Sequence, residues 1–157
     1  MNPGLESCAV AMKSTKSLSP QQRVQLLQAA RKVMKQAHAP YSQFKVGAAI
    51  LTAKGEIFSG CNVENASYGM TNCAERTAIF TAVAQSGPKL NIRAVAVVND
   101  QKVPCSPCGA CRQFLAEFNP NLKVVVANQD EVFYTTTVAE LLPKAFDTET
   151  YKSQSID

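Results

Sequence analysis

The chain has 157 residues, 46% of them hydrophobic and 18% charged, enough for one domain with a substantial core and too few for two comfortable ones. This balance excludes the disordered class, which combines low hydrophobicity with high charge. The net charge of +4 comes from 16 Lys and Arg spread along the chain against 12 acidic residues. No basic run would track a phosphate backbone, so composition gives no support to a nucleic-acid partner.

Taken in chain order, residues 1–18 read as a loose leader of a single domain spanning 1–157. The leader mixes Gly, Ser, Lys and Glu and lacks the apolar core of a signal peptide. No apolar run approaches the roughly 18 residues of a membrane span, so a soluble cytoplasmic protein is expected. Ser19-Pro20-Gln21-Gln22 is a helix start, with Ser as N-cap, Pro at the first position and Gln reaching back. Leu26, Ala30, Val33 and Ala37 then recur at helical spacing, which predicts a helix over 20–38 stopped by Ala39-Pro40.

Val46–Leu51 and the run resuming at Ile57-Phe58 predict a strand hairpin around Lys54-Gly55. Asn62–Asn72 is polar and aperiodic, hence a loop. Cys73–Gln85 turns helical, with Ala78, Ile79, Ala82 and Val83 inward and Gly87-Pro88 as the stop. Ala94–Val98 is an apolar run of strand length, covered on both faces. Ser106-Pro107 repeats the cap-then-proline signal and opens a helix whose apolar positions are Cys111, Phe114, Leu115 and Phe118. Leu122–Ala127 and Val132–Thr136 are two more strands, followed by a short helix at 137–142. Strands and helices interleave, which predicts an α/β fold: three α/β/α layers around a central mixed sheet of about five strands.

Three of the six cysteines fall within seven residues, which in a reducing compartment suggests metal rather than disulfides. Cys108 and Cys111, three apart, share one helix face and can grip one ion. Cys73, at the start of another helix, would complete three protein ligands. Three ligands leave a fourth tetrahedral position open, the arrangement of a catalytic zinc. Helix N-termini also stabilise thiolates. Three thiolates nonetheless leave the site formally −1, and Arg76, one turn after Cys73, is placed to donate to a ligand sulfur and offset that charge. Glu75 leans back toward the same helix tip, where a carboxylate suits a general base and then a general acid.

Plainer readings stand beside these. Cys111 alone would be core packing, and Glu75-Arg76 alone a solvated turn. Cys105-Ser106-Pro107-Cys108 is a second C-x₂-C, so a closed structural site using Cys105 is an alternative. His38 reads as an exposed residue near a helix end, and Cys8 and Cys61 as plain thiols.

Cys73-Ala74-Glu75 followed by Pro107-Cys108-Gly109-Ala110-Cys111 resembles the zinc deaminase signature, with Cys in place of the commoner His. Pro40-Tyr41-Ser42-Gln43-Phe44, Val46-Gly47-Ala48-Ala49, Gly60-Cys61-Asn62-Val63-Glu64-Asn65-Ala66 and Cys73-Ala74-Glu75-Arg76-Thr77-Ala78 are similar to the small cytidine deaminases. The similarity runs over about 20–147. It implies hydrolytic deamination of free cytidine and deoxycytidine in pyrimidine salvage, with one Zn²⁺ per subunit of a homotetramer. Glu75 would be catalytic, Cys73, Cys108 and Cys111 the metal ligands, and Arg76 and Ser106 their support. Asn62 and Glu64 match a pair that bonds the ribose, Phe44 an aromatic on the pyrimidine, and Ala66 a backbone contact to the base. Tyr41, Tyr68 and Phe146 match positions that line neighbouring subunits' sites. The partner implied is a small nucleoside, with neither nucleic acid nor membrane. Without the resemblance, Phe44 reads as core, Asn62 and Glu64 as solvated loop, Tyr68 as a loop cap and Phe146 as a tail anchor. Three other functions compete: a blasticidin-S deaminase, a polynucleotide-editing deaminase, and a non-enzymatic zinc-ribbon-like module that would need Cys105.

Overall fold

The computed structural model describes residues 17–147, so most of the expected leader, with Cys8, and the last ten residues lie outside the described part. The elements run α1 Pro20–Met34, β1 Val46–Thr52, β2 Ile57–Cys61, a single 3₁₀ turn Tyr68–Met70, α2 Ala74–Ser86, β3 Ile92–Asn99, α3 Gly109–Phe118, β4 Lys123–Ala127, β5 Val132–Thr137 and α4 Val138–Leu141. The five strands form one sheet in the order β2-β1-β3-β4-β5. Only β3 and β4 pair in parallel; the other neighbours are antiparallel, which makes the sheet mixed as expected.

Each face of the sheet carries its own core. Leu26, Leu27, Ala30 and Met34 of α1 pack on Ala49, Leu51, Ala94, Ala96, Val98 and Val125. On the other face Ala74, Ala78, Ile79 and Ala82 of α2 and Leu115 of α3 pack on Ala48, Ile50, Val95, Val97, Val124 and Val126. Alternate residues of one strand serve opposite faces, the period of two that a strand imposes. Every residue of β1 is therefore buried. Burial of this apolar surface, at roughly 25 cal/mol per Å², is the main term holding the layers together.

Two glycines set how closely the helices approach. A Cβ at Gly47 would strike the Ala30 carbonyl of α1 and come within 2.7 Å of the Met34 nitrogen. A Cβ at Gly60 would strike the Ala78 nitrogen of α2 and come within 2.6 Å of the Thr77 carbonyl carbon. Glycine at these positions lets helix backbone lie directly on strand backbone.

The helix starts and stops test the sequence reading locally. Ser19 caps α1 through a full capping box with Gln22, as its sequence predicts. The helix stops at Met34, four residues short of the expected end. There the chain leaves to pair with another segment: the His38 nitrogen donates to the Asn62 carbonyl, and the Glu64 nitrogen to the His38 carbonyl. The buried stripe is accordingly Leu26, Leu27, Ala30 and Met34, with Val33 and Ala37 only half-buried. His38 is exposed, as expected. Ser106-Pro107 does not cap α3; Cys108 is the N-cap and Gly109 the first helical residue. Phe114, expected inward, is exposed and packs edge-on against Phe80 of α2, ring centres 5.6 Å apart.

Candidate active site

The N-termini of α2 and α3 lie on the same sheet face, and each carries a cysteine as its N-cap: Cys73 and Cys108. Cys111, fully buried, projects from the first turn of α3. The three sulfurs all lie within 4.8 Å of one another, and Cys73 and Cys108 are 3.9 Å apart. Two sulfurs bound about 2.3 Å from one tetrahedral zinc lie roughly 3.8 Å apart, so the cluster fits such an ion.

The electrostatics agree with the spacing. Cys111 donates to the Cys73 sulfur, and this bond holds the Cys73 thiol down at about 5, with Arg76 adding to it. The same bond and burial push the Cys111 thiol up. Thiols bind a metal ion as thiolates, so uptake of a cation at this cluster should release protons. Arg76 Nη2 lies 3.7 Å from the Cys73 sulfur and 3.4 Å from the Thr71 carbonyl. Its Nε is buried and has no acceptor among the described residues, leaving a cation turned toward a sulfur cluster that needs positive charge. Cys105 takes no place in the cluster. Burial pushes its thiol up to about 11.

Glu75 is only 4% exposed although it occupies the first turn of α2. Burial is the main cause that pushes its carboxyl up to about 7, with the Cys73 charge adding to it, while a bond to Cys111 opposes. A carboxyl poised near neutrality beside three sulfurs suits proton transfer in both directions.

The remaining expected residues form a second group. The Glu64 carboxylate accepts from the Tyr41 nitrogen at 2.9 Å, the Ser42 nitrogen at 3.2 Å and the Ser42 hydroxyl, bonds that hold it below the usual carboxylate range. The Ser42 hydroxyl in turn accepts from the Phe44 nitrogen at 3.0 Å. Asn62 is buried: its Oδ1 accepts from the Val46 nitrogen and its Nδ2 donates to the Phe44 carbonyl. Asn62 is thus a buried side chain, while Glu64 stays half-exposed but is tied to the 41–42 backbone; both shape the 41–46 segment. Phe44 packs against the core of the α2 face and borders an open groove shared with Asp100 and Val103, in which no cysteine takes part. Paired backbone bonds between Val63 and Asn72 tie this group to the chain immediately before Cys73.

Ala66 is exposed. Tyr68 is 77% exposed, with its ring edge-on to Tyr41. Phe146, also exposed, accepts at its carbonyl from Gln113 of α3. The Ser106 hydroxyl accepts from Arg112. Two contributors were not singled out from the sequence, Ser42 and Arg112. The only signal for either was proximity, one in the Tyr41–Phe44 motif and the other next to Cys111.

Residues 20–128 match the family model of the cytidine and deoxycytidylate deaminase zinc-binding region. The chain belongs to that family. Its zinc is the metal that the Cys73, Cys108 and Cys111 cluster could hold. Among curated members, the cytidine deaminase of Sporosarcina psychrophila is 50% identical over 125 residues, covering 79% of this chain and 90% of its own. That of Halalkalibacterium halodurans is 48% identical over 128 residues, covering 81% and 96%. The crystal structure of cytidine deaminase from Burkholderia pseudomallei superposes with TM-score 0.73 at 51% identity, covering 78% of this family member and 98% of that chain. The Mycobacterium tuberculosis enzyme gives 0.70 at 36% identity, covering 80% and 97%. No helix among the described residues is long and apolar enough to cross a membrane.

Proposed function

We propose that this chain hydrolyses free cytidine and deoxycytidine to uridine and deoxyuridine with release of ammonia, a step of pyrimidine salvage. The observation that carries the reading is the gathering of three sulfurs within 4.8 Å at two helix tips, beside a buried Glu75. Cys73, Cys108 and Cys111 hold one zinc per subunit. When bound, zinc supplies the Lewis acidity that lets water attack near neutral pH.

Glu75 carries the protons. Its carboxylate accepts one from the attacking water and delivers it to N3 of the pyrimidine as the oxygen adds at C4. It then takes the remaining hydroxyl proton and passes it to the 4-amino group, which leaves as ammonia when the C4–N bond breaks. Arg76 offsets the surplus charge of three thiolates, and the Ser106 carbonyl orients the departing amine.

Asn62 and Glu64 bind the ribose, chiefly its 3′-hydroxyl, which a nucleotide within a strand has esterified. Phe44 packs on the ring and the Ala66 backbone contacts the base. The exposure of Tyr41, Tyr68 and Phe146 supports their reaching sites on neighbouring subunits of a homotetramer, since large apolar side chains left in water mark association surfaces. One domain in the cytoplasm suits the chemistry, because a thiolate site needs reducing surroundings.

The test is the ultraviolet loss of cytidine absorbance, followed with and without a zinc chelator. Turnover of cytidine and deoxycytidine should vanish on chelation, return with zinc, and be missing on oligonucleotides. Preference for blasticidin S over cytidine in direct competition, or activity unaffected by chelation, would overturn the assignment.

A further inference from the structure

Arg112 follows Cys111 directly, yet its side chain turns away from the sulfurs. It folds back along α3 to the residues that precede Cys108. Its Nε donates to the Pro107 carbonyl at 2.7 Å and its Nη2 to the Ser106 hydroxyl at 3.1 Å. Its Nη1 donates to the Leu141 carbonyl, the last residue of α4, at 2.8 Å. One half-buried guanidinium thus joins three acceptors on two separate stretches of chain.

The geometry has a local reason. Residues 104–108 form no helix or strand, so the backbone leading to Cys108 has no ladder of its own to hold it. Pro107 contributes no N–H, and the Ser106 hydroxyl, free of any capping bond, is available as an acceptor. A planar guanidinium with donors on three nitrogens can serve three acceptors at once; a lysine ammonium cannot do so in the same plane. Leu141 is the far anchor. α4 packs on β5 and is fixed by its own capping box, Thr137 with Glu140.

We infer that Arg112 is a positioning residue, clamping the Ser106-Pro107 segment to the end of α4 so that Cys108 meets Cys73 and Cys111 in metal-binding geometry. This rests on the three cysteines being the zinc ligands. Residues that orient metal ligands from behind commonly contribute 10- to 100-fold to metal affinity.

The experiment compares wild type, Arg112→Ala and Arg112→Lys for zinc affinity by competition with a chromogenic chelator. It also compares the visible spectrum of cobalt-substituted protein, which reports the arrangement of thiolate ligands. Both variants should hold zinc roughly 10-fold or more weakly and give altered cobalt bands. Arg112→Lys keeps the charge and most of the bulk, so it tests the clamp even if Arg112→Ala does not fold. Wild-type zinc affinity and an unchanged cobalt spectrum in Arg112→Lys, or in both variants, would overturn the inference. Wild-type protein that binds no zinc would overturn the ligand assignment and the clamp with it.

Discussion

Glu75→Gln should retain zinc with wild-type affinity yet turn over cytidine at least about 100-fold more slowly, the usual scale for a lost acid–base group. The substitution keeps size and shape at a residue 4% exposed and leaves all three sulfurs in place, so metal content should not change. What it removes is the buried carboxylate beside the cluster that can exchange a proton there. Metal content with single-turnover kinetics checks this, and near-normal turnover would refute the proton-carrier role.

The same variant has a second expected behaviour, in the metal-free protein. Glu75 is held up to about 7 in the fold, chiefly by burial, whereas the unfolded chain releases its proton near the ordinary glutamate value of 4.5. Between those values the unfolded chain holds less of this proton, so the Glu75 contribution to metal-free stability falls as pH rises from about 4.5 through about 7, against the opposite contribution of the lowered Cys73 thiol, which both proteins share. Glu75→Gln has no such proton to lose, and its metal-free form should be the more stable of the two above neutrality. Denaturant titrations of both proteins across that range check the sign; an identical pH dependence would refute the burial account.

Gly60→Ala should cost roughly 1–3 kcal/mol of stability, the usual scale for overpacking, and lower zinc affinity at the same time. The added methyl would meet backbone, the Ala78 nitrogen and the Thr77 carbonyl carbon, and backbone cannot rotate out of the way as a side chain can. α2 must shift off β2, and Cys73, Glu75 and Arg76 all sit at its beginning. Gly69→Ala serves as the control, since nothing lies within 4 Å of its added carbon. Each kcal/mol lost should lower Tm by about 2–4 °C in a chain of this size. A Gly60→Ala protein with unchanged Tm and zinc affinity would mean that the close approach does not position the site.

How far the sequence carries can be judged from these residues. Ser19-Pro20 and Ser106-Pro107 are the same local signal, and only the first became a cap. At the second, an arginine six positions along the chain takes the serine hydroxyl, a competition that spacing rules do not register. The central strands β1, β3 and β4 were legible because their apolar runs are buried on both faces, whereas the edge strands β2 and β5 are mostly half-buried. The ends of α1 were half legible: its start is a local capping box, while its stop is decided by pairing between His38 and the segment around Val63. Cys108 and Cys111 declare themselves by sharing one helical turn. That Cys73 joins them depends on two helices beginning side by side on one sheet face; the sequence offered only its matching place at a helix start, and resemblance to a family added to that. The burial of Asn62 and the bonds of Glu64 to the 41–42 backbone were hidden because their partners lie some twenty positions away.

The paired bonds between Val63 and Asn72 close the base of a loop whose interior, Asn65 to Met70, faces solvent throughout. Thr71, just inside that base, joins the tip to the centre: its hydroxyl accepts from the Asn65 nitrogen and its carbonyl from Arg76, whose guanidinium also reaches the Cys73 sulfur. A change around Ser67 or Tyr68 therefore has a short path to the sulfurs, and any attempt to re-engineer this loop should be read out with metal binding alongside.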